Sequence, residues 1–472
     1  MNSNILDKKY LKGLSKNELI RLLIEQDTVQ MEKINQLESL IQSLQLEIQS
    51  LKKDSSNSSK PPSSDMNKPE RNQSLREKSQ KKPGGQFGHK GFGREQTKEP
   101  DQIVVCHPDV CNGCGQNLSR IEGIIASKRQ EADIPPIKLE VIEYQQHSVI
   151  CPHCQKINLG QYPTHITAPI QFGVNIKSFI AYLNIKHKIP YERLALIFDD
   201  MLNVQISQGS IENILDRLKI MCQPLHQKIL STIKTGRWIG SDETGIHVDG
   251  KKWWLWVWQN LSGSFYAASA SRGTQTAKEN FGQDYQGTFI HDCWSAQLNT
   301  MAASGHQLCH PHLIRDLNYL IETYHSKWCY EMKQLLLASE KARDRIWGND
   351  FDEKIRKRVT TQYQLKLSNL IVQPMSEKKE IATIQKRFKK HQDKILFFME
   401  SADVPFHNNF SEQAIRNAKI HQKISGGFRS TAGAERHAVI LSVIETCRKQ
   451  NLNVLDSLKQ IYLGRFVFGV PE

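Results

Sequence analysis

Between residues 238 and 260 the chain reads WIGSDETGIHV, then Asp249-Gly250, then KKWWLWVWQN. Two β-rich runs joined by Asp-Gly are the strongest short-range hairpin signal, because the tight turn that matches strand twist needs positive φ at both central residues. A third run, GSFYAASAS, follows, and GTFIHDCWSA is another apolar strand ending at Asp292. Together they predict one sheet with Asp242 and Asp292 on its strands. The second run holds four of the chain's eight tryptophans, and a charged group in such strands is costly to bury unless it is paired or binds a cation. For either aspartate alone, the alternative is a side chain that caps a turn.

At 472 residues the chain is too long for one ordinary core, so about three globular units with connecting segments are expected. A formal charge of +14 and a pI near 9.2 favour a polyanionic partner. Nucleic acid is the commoner choice when no basic amphipathic anchor is visible. The N-terminal MNSNILDKKYLKG lacks the apolar core of a signal peptide, and no stretch approaches the roughly 20 apolar residues that span a bilayer. A cytoplasmic protein with no membrane partner is expected, its ten cysteines reduced.

Ser15 and Glu18 have capping-box spacing, and after them Ile34, Leu37, Ile41, Leu44, Ile48 and Leu51 recur at alternating steps of three and four. Ile at one seam position and Leu at the other favours a parallel two-stranded coiled coil over residues 1–53, and with it a homodimer. Asp27 and Gln30 interrupt the seam upstream, and the alternative is an amphipathic helix packed on its own protein. Residues 54–100 have almost no large aliphatic residues to bury and read as a basic flexible linker. It either runs along a phosphate backbone or is a solvated tether. GGQFGHKG within it lacks the preceding strand and the Gly-Lys-Ser/Thr ending of a nucleotide-binding loop.

Cys111-Asn-Gly-Cys114 and Cys151-Pro-His-Cys154 are two CxxC knuckles flanking the alternating stretch IKLEVIEYQQHSVI. Four thiolates from two such turns make a closed tetrahedral zinc site, which is structural because it leaves no open position to activate water. Residues 101–165 therefore read as a zinc ribbon, with Cys106, His107 and His153 as substitute ligands and free thiols or a redox pair as the alternative. Residues 166–232 read as helices, IPYERLALIFDDMLNVQISQGSIENILDRLKIM resembling two helices around a turn with Ser207 or Ser210 as N-cap. This suits a helix-turn-helix that reads DNA, although any small helical bundle carries the same punctuation.

A third acid lies in FHNNFSEQAIRNAKIHQKISGGFRS, where Glu412, Arg416, Lys419 and Lys423 share one stripe of a helix ended by Gly426 and Gly427. Two aspartates from strands and a glutamate from a packed helix can hold two Mg²⁺ ions about 4 Å apart, the arrangement that serves phosphodiester chemistry. The bland alternative is a solvated helix face with Glu412 paired to Arg416. Glu243 rivals Asp242, but neighbours on a strand face opposite sides and only one can look into the site. Cys309, His310 and His312 read as a strand-to-helix junction near the site rather than a second metal centre, because no distant partner knuckle is evident. His312 and Arg315 lie where they can touch DNA.

The chain resembles the DDE transposases of the insertion-sequence-66 group over nearly its whole length. The motifs that carry the resemblance are SSNSSKPPSSD, GGQFGHKG, the CxxC pairs, SDETGIHV, CHPHLIRDLNYL, NNFSEQAIRNAKIHQKISGGFRS and LSVIETCRK. His407 stands where many relatives carry Asp. The resemblance implies an RNase H-like α/β catalytic core over 233–445, with a helical insertion at about 325–400 and a C-terminal tail from 446 to 472. Asp242, Asp292 and Glu412 would be the acids holding two Mg²⁺ (or Mn²⁺) ions, and Cys111, Cys114, Cys151 and Cys154 the structural zinc ligands. Arg416, Lys419, Lys423 and Arg429 would contact the DNA backbone. The implied activity is cleavage of transposon ends at terminal inverted repeats with water as nucleophile, then joining of the freed 3′-hydroxyl to target DNA. Expected partners are both DNAs, a second copy of the chain and small accessory proteins of the same element. The alternative is a catalytically silent DNA-binding protein, a retired transposase or regulator.

Overall fold

The computed structural model describes residues 13–51, 84, 88–90, 93, 95–135, 137–300, 302 and 304–469, so most of the linker expected at 54–100 lies outside the described residues. Helix α1 (Lys16–Leu51) opens with the capping box read from sequence: the Glu18 carboxylate accepts the Ser15 N–H at 2.8 Å, and Ser15 Oγ accepts the Glu18 N–H at 3.4 Å. Its seam residues Ile34, Leu37, Ile41, Leu44 and Ile48 are all exposed. No helix among the described residues is long and apolar enough to cross a membrane.

A two-stranded antiparallel sheet, β1 (Ser148–Ile150) and β2 (Ile157–Leu159), carries the second cysteine knuckle in its turn. Only the last three residues of the alternating stretch 137–150 form strand. Alternation supplies a face, but a strand also needs a neighbour to bond, and β2 reaches no further.

The helical region comprises α2 (Val174–Ala181), which runs into a π-helical turn at Tyr182–Lys186, then α3 (Tyr191–Leu202) and α4 (Gln208–Lys234). Ser207 caps α4 by accepting the Ser210 N–H at 3.1 Å. The sheet follows as β3 (Trp238–Val248), β4 (Lys251–Gln259), β5 (Ser264–Ser269), α5 (Thr274–Phe281), β6 (Thr288–His291), α6 (Ser295–Leu298) and β7 (Gly305–Leu308). Its order is β5-β4-β3-β6-β7, with β3, β4 and β5 antiparallel and β6 and β7 parallel to β3. The hairpin turn has φ 49° at Asp249 and 69° at Gly250, as Asp-Gly predicts. From Leu255 to Gln259, β4 is buried at every residue, so both of its faces are covered.

Helices α7 (His310–Tyr324), α8 (Lys327–Gly348), α9 (Glu353–Ile371) and α10 (Lys379–Lys390) follow, the last three within the stretch expected as an insertion. The chain then forms α11 (Asn409–Ser425), α12 (Thr431–Lys449) and α13 (Val454–Tyr462). Two apolar cores result. One runs from Ile180 through the buried stripe of α4 and across β3, β4 and β5 to α12 and Leu458 of α13; the other joins Ile290 and Leu308 to α7, α8, α9 and α10. The region 166–232 thus shares its core with the sheet, because α4 buries one face along its whole length.

Arg436 of α12 fixes that packing. Its side chain is 7% exposed and bonds Asp216 at 2.5 Å, Glu212 at 3.3 Å and Tyr191 Oη at 2.8 Å. Arg436→Ala should cost about 2 kcal/mol, because both acids are half-exposed and can rehydrate while the buried contacts are lost. Urea unfolding followed by tryptophan fluorescence and by helical circular dichroism measures it, and the two signals should shift together. Loss of helix signal alone would mean that the helical region folds apart from the sheet.

Candidate active site

β3 and β6 pair in parallel with Trp238 opposite Thr288 and Gly240 opposite Ile290, an offset of 50. Asp242 and Asp292 differ by the same offset, so both follow the last paired position, Gly240 opposite Ile290, by two residues. Asp292 stands one residue beyond β6 rather than on it as the sequence led us to expect. Its Oδ1 accepts the Trp294 N–H at 3.0 Å and turns the chain toward α6, so this acid both caps a turn and faces the site.

Helix α11 lies over β3 at unusually close range. A Cβ on Gly240 would stand 2.6 Å from Asn408 Oδ1 and 2.7 Å from Ser411 Oγ. Asn408 completes the contact by donating from Nδ2 to the Ser241 carbonyl at 2.6 Å. Gly240 and Asp242 share a strand face by the two-residue period, so this contact brings Glu412, in the first turn of α11, over the face that carries Asp242. Burial, then the charges of Glu243, Asp292 and Glu412, push the Asp242 carboxyl well above its usual range. Burial also raises Asp292, and it raises Glu412 against the pull of Arg315 and Arg416.

The three carboxylates share one electrostatic field but do not meet at a point. Among the described residues, the one group of three or more metal-ligating side chains with ligand atoms all within 4.8 Å is Cys309, His312 and Glu412. A desolvated, all-oxygen, mutually repelling set is the donor chemistry that hard divalent cations take, and the residues present fit such ions.

Glu243 is bound on both oxygens: Arg272 Nε and Nη2 reach Oε1 at 2.6 and 2.5 Å, and Gln297 Nε2 reaches Oε2 at 2.6 Å. Its side chain is 1% exposed, and Arg272 is held between the rings of Trp254 and Trp294 at 4.8 and 3.7 Å. Burial and the Asp292 charge push Glu243 up to about 7 while Arg272 pulls it down. It is a clamped residue on the opposite strand face, and it ties β3 to the turn that follows Asp292. Sequence reasoning missed Gly240, Arg272 and Gln297. A glycine two residues before a strand acid was the one local signal, whereas Arg272 and Gln297 belong to no motif.

On α11, Arg416, Lys423 and Arg429 just beyond it are exposed, while Lys419 donates to the Gly245 carbonyl at 3.0 Å and is half-buried against β3. His310 is turned from the acids, held by Glu340 at 2.9 Å and the Ile395 carbonyl at 2.8 Å. The helix ends at Gly426 with φ 72°.

The two cysteine knuckles repeat each other. Cys111 donates its N–H to the Gln116 carbonyl and accepts from Gly115; Cys151 does so with Lys156 and Gln155. Gly115 and Gln155 both have positive φ, at 74° and 59°, and antiparallel pairs Val110–Asn117 and Ile150–Ile157 flank the two turns. N–H groups pull both first thiols below their usual range, Gly113 and Cys114 at Cys111 and Cys154 and His153 at Cys151. Cys111 lies beside Cys114 and Cys151 beside Cys154, and among the described residues no group of three or more metal-ligating side chains joins the two knuckles. The repeated N–H···S turns fit a thiolate-bound zinc.

The sequence profile of the Transposase IS66 family matches residues 169–436, more than half of the chain. This chain belongs to the IS66 transposase family. The zinc-finger binding domain of transposase IS66 matches residues 108–155, taking in both knuckles and supporting structural zinc there, and a family of unknown function matches residues 14–95. Uncharacterized protein y4hP of Sinorhizobium fredii is 21% identical over 398 residues, spanning 76% of this chain and 70% of that protein. Uncharacterized protein y4jO of the same organism is 34% identical over 67 residues, spanning 14% of this chain and 21% of that protein.

Two outcomes are expected of this IS66 transposase. Gly240→Ala must push Asn408 and Ser411 outward, costing about 1–3 kcal/mol and moving Glu412 off Asp242. Thermal melting should fall modestly while the gain in melting temperature on adding Mg²⁺ falls far more, and a variant that keeps its parent's gain would show that the approach of α11 does not set the site. The second concerns pH. A carboxyl whose folded pKa is raised leaves the native state binding more protons than the unfolded one, so metal-free stability falls as pH rises from the ordinary carboxylate range, to about 7 for Glu243. A divalent cation offsets most repulsion where the groups are charged. The rise in melting temperature on adding Mg²⁺ should therefore be larger at about pH 8 than at about pH 5, and equal shifts would rule out binding at these acids.

Proposed function

We propose that this chain is a DDE-type DNA transposase, with Asp242, Asp292 and Glu412 as its catalytic acids in an RNase H-like core. The observation that carries the reading is the shared offset of 50 between Asp242 on β3 and Asp292 just past the parallel strand β6, with Glu412 brought over that face by α11. The strand order, three antiparallel strands followed by two parallel ones joined through helices, supports that core. Two bound Mg²⁺ (or Mn²⁺) ions would supply activation of the attacking oxygen and stabilisation of the leaving oxygen. The protein's own part is positioning: the β3–β6 register fixes the aspartates, the Gly240 contact fixes Glu412, and the Glu243–Arg272 clamp holds the turn after Asp292.

Exposed Arg416, Lys423 and Arg429 grip the DNA backbone beside the acids, with Lys419 nearer the hairpin. The four knuckle cysteines hold structural zinc in a ribbon at 101–165, the seam of α1 pairs two copies as a coiled coil, and the helical region at 166–232 contributes to binding the terminal inverted repeats. The chemistry is hydrolysis at the transposon end followed by attack of the freed 3′-hydroxyl on target DNA.

Cleavage and joining of a labelled transposon-end duplex with Mg²⁺ tests this. Asp292→Ala should lower both by at least about 100-fold while DNA affinity stays within a few fold of the parent. Binding without cutting by either protein, with accessory proteins of the element supplied, would make this a DNA-binding regulator instead.

A further inference from the structure

Cys309, His312 and Glu412 bring a sulfur, a ring nitrogen and a carboxylate oxygen within 4.8 Å of one another where β7 enters α7 beneath the first turn of α11. Glu412 Oε1 lies 3.5 Å from His312 Nδ1 and 4.0 Å from Cys309 Sγ. Cys309 stands between β7 and α7 as the N-cap of the helix, and His312 follows in its first turn. Cys309 Sγ receives the Asn408 N–H at 3.2 Å, while the His312 N–H donates to the Cys309 carbonyl at 3.2 Å in the first turn of α7. An N–H donated to sulfur stabilises a metal-bound thiolate. The sequence shows a Cys-x-x-His turn with no partner knuckle; the fold supplies the partner from 103 positions away.

We infer that Cys309, His312 and Glu412 form a second cation site, selective for a soft or borderline divalent ion such as Zn²⁺ over Mg²⁺. Mg²⁺ takes oxygen ligands, whereas mixed sulfur, nitrogen and oxygen donors suit zinc. Burial keeps the metal-free thiol protonated, so forming the S–metal bond releases that proton to solvent. Thiolate and carboxylate then balance the two positive charges, with imidazole as neutral ligand. Arg315 and Arg416, 3.7 and 4.0 Å from Glu412, oppose any cation there, so the thiolate is required. If Glu412 also serves the catalytic acids, as proposed above, Zn²⁺ at this site withdraws it from them and inhibits cleavage. The binding claim stands without that reading.

Cobalt reports thiolate ligation by a near-ultraviolet charge-transfer band. Co²⁺ is titrated into metal-free full-length protein, parent beside Cys309→Ser, His312→Gln and Asp292→Ala; binding at the ribbon is common to all four, so differences isolate this site. The parent and Asp292→Ala should bind one more equivalent with a thiolate band than Cys309→Ser. His312→Gln, which leaves the buried sulfur in place and guards against misfolding of the serine variant, should bind that equivalent at least about tenfold more weakly. Identical bands and stoichiometry in parent and Cys309→Ser, or unchanged affinity in His312→Gln, would overturn the site. A cobalt site in a protein that never cuts DNA would sink the transposase reading alone.

Discussion

The acidic site depends on how closely one helix can lie on one strand. Asp242 and Asp292 follow the β3–β6 backbone register, which hydrogen bonds enforce, but Glu412 comes from a helix 120 positions after Asp292 and has no such ruler. Its position is set where Gly240 lacks a side chain and Asn408 and Ser411 fill the space, with one hydrogen bond from Asn408 to the Ser241 carbonyl. The contact sits two residues before Asp242 and at the start of α11, so its length and that of the acid pair are coupled. A single methyl group there acts on the spacing of the acids rather than on the fold at large.

Local features were legible in the sequence because their causes are local. The Asp-Gly turn, the Ser15–Glu18 box, the Ser207 cap and the Gly426 stop each rest on residues within a few positions of one another, and each appears as read. The alternating stretch 137–150 failed for most of its length because pairing depends on a neighbour that pattern does not reveal. Arg436 lies 220 residues from Asp216, and Arg272 lies 29 from Glu243; such partners are found by topology, not spacing. Alternation across the strand did separate Asp242 from Glu243, but only the fold shows that Glu243 is engaged on both oxygens. The helix-turn-helix reading treated 166–232 as a unit, and the continuous core through α4 and the sheet was invisible for the same reason.

Electrostatics divides these acids by what answers their charge. Glu243 is answered by Arg272 and Gln297 within the protein, which satisfies its lone pairs and leaves it with a structural task. Asp242 has one backbone N–H, its neighbour's, and otherwise faces carboxylates. Asp292 has the Trp294 N–H. Burying these groups raises their proton affinity, and an arrangement that costs folding free energy in this way gains from a ligand of opposite charge.

The same reasoning explains why the acids sit where they do. Trp238 and Ile290 belong to one apolar core while their strand neighbours Ile239 and Phe289 belong to the other. α11 spans the same boundary, since Ile415 packs with the first core and Phe406, just before the helix, packs with the second. Carboxylates within either core would displace apolar contacts as well as lose water. Where the cores part, they lose only water, and a cation can restore what hydration supplied. Helices α8, α9 and α10 cover the β6–β7 side of this boundary, so their packing bears on Asp292 through Ile290 and Leu308 even though none of them carries one of the three acids.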